Sequence, residues 1–268
     1  MSVKTRIQEL NTRLAEKLTN KGVQADGTET TTALINKVDD IQTGGSGGGE
    51  ELFNTFLNGE MTNFVSPKEA PSVRPYLFYK DTVIKTADLR NATYIGAEVF
   101  RDSTLEEVIF NDDFKGAVNY IGNRAFLNSQ LTDVNSLIGF SLTSASPALF
   151  SNCLKLKNIY LPNVILANAT QPFIDCSALE KVVIGATTIG QKSFTNCSSL
   201  TALVIVVDKM AALNNANSFV NTPIENGTGY IYVPKALIEE YKVATNWVAH
   251  ASQFRAIEDF PEICGGAE

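Results

Sequence analysis

Apolar residues two positions apart punctuate this chain at Val108/Phe110, Ile159/Leu161, Val182/Ile184, Leu203/Ile205 and Ile231/Val233. A period of two is that of a β-strand with one buried face. A longer period runs alongside it. Phe100, Phe126, Phe150, Phe173, Phe194 and Phe219 follow one another at intervals of 26, 24, 23, 21 and 25 residues. Asn or Asp stands two positions after each Phe: Asp102, Asn128, Asn152, Asp175, Asn196 and Asn221. A small hydroxyl or thiol residue comes next, at Ser103, Ser129, Cys153, Cys176, Cys197 and Thr222. Leu105, Leu131, Leu156, Leu179, Leu200 and Ile224 then supply an apolar residue. Phe78, with Ile84, Ala87 and Leu89 behind it, opens a degenerate seventh copy. Repetition at this interval predicts a solenoid, in which no unit is stable alone and the strands stack about 4.8 Å apart in a parallel sheet. The Phe should fill the side of the coil opposite the strand, and Ile95-Gly96, Ile121-Gly122 and Ile189-Gly190 should mark a recurrent turn.

The other recurrent positions are best assigned to the scaffold. An Asn or Asp in an irregular arc can bond loop N–H and C=O groups that would otherwise go unpaired. Asp102 and Asp175 are therefore poor candidates for catalytic acids. Cys153, Cys176 and Cys197 share one slot in successive coils, so core packing, a disulfide and a metal site are all conceivable. Zinc needs four ligands, the lone His250 lies outside the repeats, and Ser or Thr fills the same slot elsewhere. Packing of a small residue is the favoured reading.

The N-terminus follows a different period. Val3, Ile7, Leu10, Leu14 and Leu18 form an amphipathic helical seam, and Leu34, Val38 and Ile41 begin a second one. Two short helices are marginal in isolation, so residues 1–42 are expected to anchor the chain or to drive self-association. The Gly/Ser run at 43–49 spans on the order of 15 Å as a coil and lacks the Lys-Ser/Thr of a phosphate loop. Residues 50–73, with Leu52, Phe53, Phe56 and Leu57, are expected to cap the first coil. Repeats are assigned to 74–233, a helical C-terminal cap with Trp247 and Phe254 to 234–260, and a loose tail containing Cys264 to 261–268.

Composition narrows the function classes. The formal charge is −7, while the first 42 residues balance six Lys/Arg against six Asp/Glu. No concentrated basic face is available for nucleic acid. No run of about 18 apolar residues supports membrane insertion. The start of the chain has no apolar segment of the signal-peptide kind. Glu106-Glu107, Asp112-Asp113 and Asp39-Asp40 are neighbours in sequence, and on a strand neighbours point to opposite faces. With no paired nucleophile and base, no enzyme, cofactor or metal is expected. A binding surface is easier to place. The exposed position between each buried strand pair reads Ile109, Asn135, Tyr160, Val183, Val204 and Tyr232. Of these, Tyr160, Val183, Val204 and Tyr232, with Ile109, are expected to stack into an apolar stripe on the open face of the sheet, either as a partner-binding site or simply through strand propensity.

The pattern Ile-Gly-x-x-x-Phe-x-Asn-Cys-x-x-Leu-x-x-Leu-x-Ile, as at residues 189–205, resembles the BspA-like leucine-rich repeats. The stretch from Ile231 to Trp247 is similar to the closing segment of those arrays. The resemblance implies a leucine-rich-repeat solenoid of about seven coils, with short parallel β-strands and irregular arcs, behind a short α-helical segment. Departures at 111–119, 144–148, 167–172 and 206–218 should be local bulges or loops. The opening order of helix, Thr-rich turn, helix and glycine run resembles the start of bacteriophage structural proteins. Together these resemblances imply a non-enzymatic virion protein of a tail, baseplate or head fibre. Its N-terminal helices would hold other virion proteins, and its solenoid would contact a host surface protein or glycan. Such fibres are often trimeric. The alternative is a bacterial cell-surface adhesin of the same repeat family.

Overall fold

The computed structural model describes residues 11–12, 14–16, 18, 25–28, 61–66, 68, 71–110, 120–134, 147–161 and 170–264. The repeat region is a parallel-strand solenoid of about seven coils. One three-stranded sheet holds β1 (Asn63–Val65), β3 (Thr86–Asp88) and β5 (Glu107–Ile109). A second holds β2 (Ser72–Val73), β4 (Tyr94–Ile95) and β6 (Tyr120–Ile121). Farther along, β7 (Asn158–Leu161), β8 (Lys181–Ile184), β10 (Ala202–Ile205), β12 (Tyr230–Val233) and β13 (Phe254–Ala256) form a five-stranded sheet. A two-stranded sheet pairs β9 (Thr188–Ile189) with β11 (Ala212–Leu213). All these pairings are parallel.

The alternating pairs read from sequence do face the core: Val108/Phe110, Ile159/Leu161, Val182/Ile184, Leu203/Ile205 and Ile231/Val233 are all buried. The Ile-Gly pairs are not simply turns. Ile95, Ile121 and Ile189 belong to strands of their own, so the coils that contain them carry a second short strand. Glycine follows because the coils are close there. A β-carbon on Gly96 would run into the backbone nitrogen of Pro75, and one on Gly122 into that of Ala97.

Opposite the main strands, Phe78, Phe100, Phe126, Phe150, Phe173, Phe194 and Phe219 form a continuous stack. Successive ring centroids are 5.2, 5.6, 5.4, 5.7, 5.8 and 5.8 Å apart, with interplanar angles of 10° or less. Stacked aromatic pairs of this kind are worth about 0.5–1.5 kcal/mol each beyond burial.

The arc around each Phe is regular as well, which corrects the expected role of Asn and Asp. The amides two before the Phe, at the Phe and two after it donate to carbonyls of the next coil. In one coil these are Arg124 to Pro147 (3.0 Å), Phe126 to Leu149 (3.1 Å) and Asn128 to Ser151 (2.8 Å). Most arc amides are therefore paired by backbone carbonyls and not by the Asn and Asp side chains; after Phe219 the Asn221 N–H donates instead to the Glu225 carboxylate at 2.8 Å. The residue two after the Phe instead has a left-handed backbone, with φ between 56° and 65° from Lys80 to Asn221, a region in which Asn and Asp are enriched. Their side chains bond one another. The Asn128 amide donates to Asp102 (2.8 Å), Asn152 to Asn128 (2.7 Å), Asn196 to Asp175 (2.6 Å) and Asn221 to Asn196 (2.7 Å). An ionised Asp only accepts, so each run starts at an Asp.

The cysteine slot serves the same scaffold. Cys153, Cys176 and Cys197 donate to the carbonyls of Phe126, Phe150 and Phe173 in the preceding coil at 3.3, 3.1 and 3.1 Å. Ser103 and Thr222 donate to the Phe of their own coil at 2.7 and 2.6 Å. The three thiols are free and buried. Burial pushes Cys153 up to about 11 and Cys197 up to about 12, and it raises Cys176 well above the ordinary thiol range.

The ends differ from the expected boundaries. Parallel pairing begins at Asn63, inside the stretch assigned to the N-terminal cap. Leu52, Phe53, Phe56 and Leu57 lie outside the described residues. The C-terminal cap contains α1 (Ile238–Val243) and also β13, which adds a strand beside β12. Trp247 and Tyr241 are fully buried. They hold both backbone groups of Ala211: its N–H donates to the Tyr241 hydroxyl and its carbonyl accepts from Trp247 Nε1, each at 2.8 Å. His250 closes the phenylalanine stack, edge-on to Phe219 at 5.0 Å.

Candidate recognition surface

The expected stripe exists as a column and fails as an exposed surface. Tyr160, Val183, Val204 and Tyr232 occupy one register across β7, β8, β10 and β12. Yet Val183 and Val204 are 0% exposed and Tyr232 is 8% exposed. The cover is the chain's own C-terminus. Ile257, Phe260, Ile263 and Cys264 pack against Val183, Ala202, Val204 and Tyr232, with half-buried Tyr160 beside them. Residues 261–264, expected as loose tail, form a 3-10 turn on this face. Ile109 lies in the first sheet, in register with Asp88 and, through β3, with Val65. Asn135 lies outside the described residues.

Among the described residues, an exposed aromatic surface lies at the N-terminal coils, where sequence reasoning did not place it. Inward Ile95 and Ile121 leave Tyr94 and Tyr120 on the outer side of β4 and β6, in register with one another and with Ser72. Their rings stack at 5.0 Å, and Tyr94 is 37% exposed. The arc that follows β2 carries Tyr76, 50% exposed, edge-on to Tyr79 at 6.0 Å. Cations accompany them. Lys80 Nζ lies 5.2 Å and the Arg101 guanidinium 5.5 Å from the Tyr79 ring centre. Arg101 is fixed by Glu98 at 2.8 Å, and Glu98 also faces Arg124 at 3.6 Å. The Glu98 hydrogen bond raises the affinity of the Arg101 guanidinium for its proton still further. A sequence signal was available, since Tyr-Ile-Gly recurs at 94–96 and 120–122.

The outer face of the first sheet is mostly polar. Asn63, Thr86 and Glu107 share one register and Val65, Asp88 and Ile109 another. Thr86 donates to Asn63 at 2.6 Å, and Lys85 pairs with Glu106 at 2.7 Å. Of the acidic neighbours, Asp112-Asp113 and Asp39-Asp40 lie outside the described residues. Among the described residues, no group of three or more His, Cys, Asp or Glu is placed to hold a metal ion, and no helix is long and apolar enough to cross a membrane.

The family model described as "BspA type Leucine rich repeat region" matches in six copies over residues 49–117 and 113–225. This chain belongs to the BspA-type leucine-rich repeat family. The pneumococcal vaccine antigen PcpA is 18% identical at a TM-score of 0.35, over 73% of this chain and 40% of its own. This chain thus spans less than half of that antigen. A leucine-rich cell surface protein from Faecalibacterium prausnitzii is 12% identical at a TM-score of 0.30, covering 77% of this chain and 83% of its own. A leucine-rich repeat protein from Bacteroides ovatus is 15% identical at a TM-score of 0.22, covering 74% of this chain and 92% of its own. No curated protein sequence matches the chain. In the BspA-type repeat as it is built here, the positions that recur are those of the Phe stack, the Asn/Asp ladder and the small-residue slot. Whatever is specific to this chain must lie at the positions between them.

Proposed function

We propose that this chain is a non-catalytic recognition protein, whose solenoid offers the tyrosines of its N-terminal coils to a macromolecular partner. The observations that carry this reading are two tyrosine pairs of the N-terminal coils: exposed Tyr76 with Tyr79, which lies beside Arg101, and exposed Tyr94 stacked on half-buried Tyr120. Tyr and Arg are enriched in interfaces because each combines a large contact area with hydrogen-bonding capacity. Held on paired strands and a bonded arc, they lose little further freedom on binding.

The N-terminal segment favours a bacteriophage virion as the carrier. Its described part is helical between residues 11 and 18, buries Leu14 and Leu18, and brings Gly27 against Thr12. Val3, Ile7 and Leu10 of the seam lie outside the described residues. In this reading residues 1–42 attach the chain and self-associate, and the solenoid reaches a host surface protein or glycan. Display on a bacterial cell as an adhesin uses the same solenoid in the same way.

The recognition surface is tested by probing a glycan array and a panel of immobilised surface proteins with the full chain and with Tyr94→Ser/Tyr120→Ser. Capture that falls at least tenfold in the variant is expected. Equal capture by both proteins would place recognition elsewhere. The carrier is decided by mass-spectrometric inventory of purified phage particles and of cell envelopes. Enrichment in particles supports the virion, and enrichment in envelopes supports the adhesin.

A further inference from the structure

The segment that covers the five-stranded sheet is built like a bound ligand. Ile257–Asp259 and Pro261–Cys264 are 3-10 turns, and in that geometry residues three apart eclipse one another. Ile257, Phe260 and Ile263 therefore share one side and pack against Val183, Ala202, Val204 and Tyr232. The Phe260 ring meets Tyr232 edge-on at 5.5 Å. Glu258, Asp259 and Glu262 are exposed.

Little besides this apolar contact holds the segment down. The backbone hydrogen bonds that residues 257–264 make stay inside the segment, Phe260 to Ile257 and Ile263 to Phe260, each at 3.0 Å. The polar ties are exposed: the Glu258 carboxylate accepts from the Lys235 backbone N–H at 2.9 and 3.1 Å, and Asp259 faces Lys235 Nζ at 3.5 Å. Lifting residues 257–264 therefore leaves β8, β10, β12 and β13 fully paired, which makes this a unit able to open locally. The rim of the uncovered face is basic. Lys181 and Arg255 are register neighbours on its outer side, through Ala202 and Tyr232 respectively, and Lys235 stands at its end.

We propose that the outer face of β8, β10 and β12 is a docking groove for an acidic amphipathic peptide with apolar residues at three-residue spacing, and that residues 257–264 occupy it in cis until a partner's segment replaces them. This is helix-in-groove recognition with an internal competitor, and it is independent of the tyrosine surface. The partner is a protein that presents a short segment of the pattern seen in Ile257–Ile263, apolar positions separated by acidic ones.

Cys264 is a built-in reporter. It packs at the edge of this contact and is partly exposed, whereas Cys153, Cys176 and Cys197 are buried. The full chain is alkylated with N-ethylmaleimide in the presence of a synthetic peptide spanning Ile257–Ile263, and modified sites are read by mass spectrometry. Saturable acceleration at Cys264 of about threefold or more is expected, with the other three thiols unmodified and with no effect of the same peptide carrying Phe260→Ser. In the full-length Phe260→Ser variant, Cys264 should be modified about tenfold faster and the wild-type peptide should bind about tenfold more tightly. A Cys264 rate that ignores the peptide in both proteins overturns the proposal. If Phe260→Ser unfolds, amide exchange of the wild-type chain decides. Exchange across 257–264 that depends only weakly on denaturant supports the proposal, and exchange that appears only with global unfolding overturns it.

Discussion

The N-terminal coils (β1 to β6) and the C-terminal coils (β7 to β13) carry one repeat but finish their outer faces in opposite ways. In the first sheet the outer positions are Asn63, Thr86 and Glu107, then Val65, Asp88 and Ile109. Water can cover such a face. In the five-stranded sheet the equivalent column is Tyr160, Val183, Val204 and Tyr232, and the chain's own last turns lie over it. The inner faces differ little, since the same Phe stack and buried strand residues run through both blocks. Inner positions thus make a coil, and outer positions decide what else the coil touches.

The comparison breaks most severely at the capped end. Trp247→Ala should cost about 3–5 kcal/mol, because it opens a void beside Phe219 and removes the bond to Ala211. Since a coil contacts only its neighbours, amide exchange should accelerate in β12 and β10 well before β3 and β5. Equal acceleration in both blocks would show that the solenoid unfolds as one unit.

The two outer faces can be set against each other directly. Val183→Asp places an unpaired charge under the cover and should cost about 2–4 kcal/mol. Ile109→Asp, on the open face, should stay within about 1 kcal/mol. Chemical denaturation measures both, and similar losses would mean that the first sheet is covered too.

A smaller effect sits on the Asn ladder, which runs Asp102–Asn128–Asn152 and restarts at Asp175. Asp175→Asn keeps the acceptor for Asn196 and supplies the donor that Asn152 lacks. It should stabilise the fold by about 0.5–1.5 kcal/mol. A loss of stability in thermal melts would mean that the carboxylate at 175 has a role beyond the ladder.

The smallest effect is a pH dependence confined to the C-terminal block. His250 is buried against Phe219, and burial lowers its pKa, partly opposed by the charge of Glu225. A lowered folded-state pKa means that the unfolded chain takes up the proton first. The contribution of neutral His250 is therefore present above its unfolded pKa of about 6.5 and is lost as pH falls through the lower folded value. Denaturation midpoints between about pH 7.5 and pH 5 should fall for the wild type, and the part due to His250 should vanish in His250→Leu.

Some of this was legible in the residues themselves. Phe100 and its counterparts, the buried strand pairs and the small-residue slot could be read from spacing, because each coil repeats one local solution. The Asn/Asp ladder was visible as a pattern, but its cause was not. The left-handed backbone two residues before every Phe of the stack but Phe219 accepts Tyr76, Glu98, Arg124, Ala148, Gln171 and Lys192 alike, so composition carries no trace of such positions. Tyr94 and Tyr120 could have been found from the recurrence of Tyr-Ile-Gly. Tyr241, which holds the N–H of Ala211, had no local signal at all.

The residue pattern by itself determined the repeat, the coil count and the inward face of each strand, because periodic burial is a nearest-neighbour property written once per coil. Only the tertiary structure decided which outer face stays open. Ile257, Phe260 and Ile263 are distant in sequence from Val183, and whether such a segment folds back depends on how β13 and the cap aim the chain. An apolar column that reads as exposed in the repeat is therefore buried in the molecule, while Tyr76, Tyr79 and Tyr94 of the N-terminal coils stay exposed.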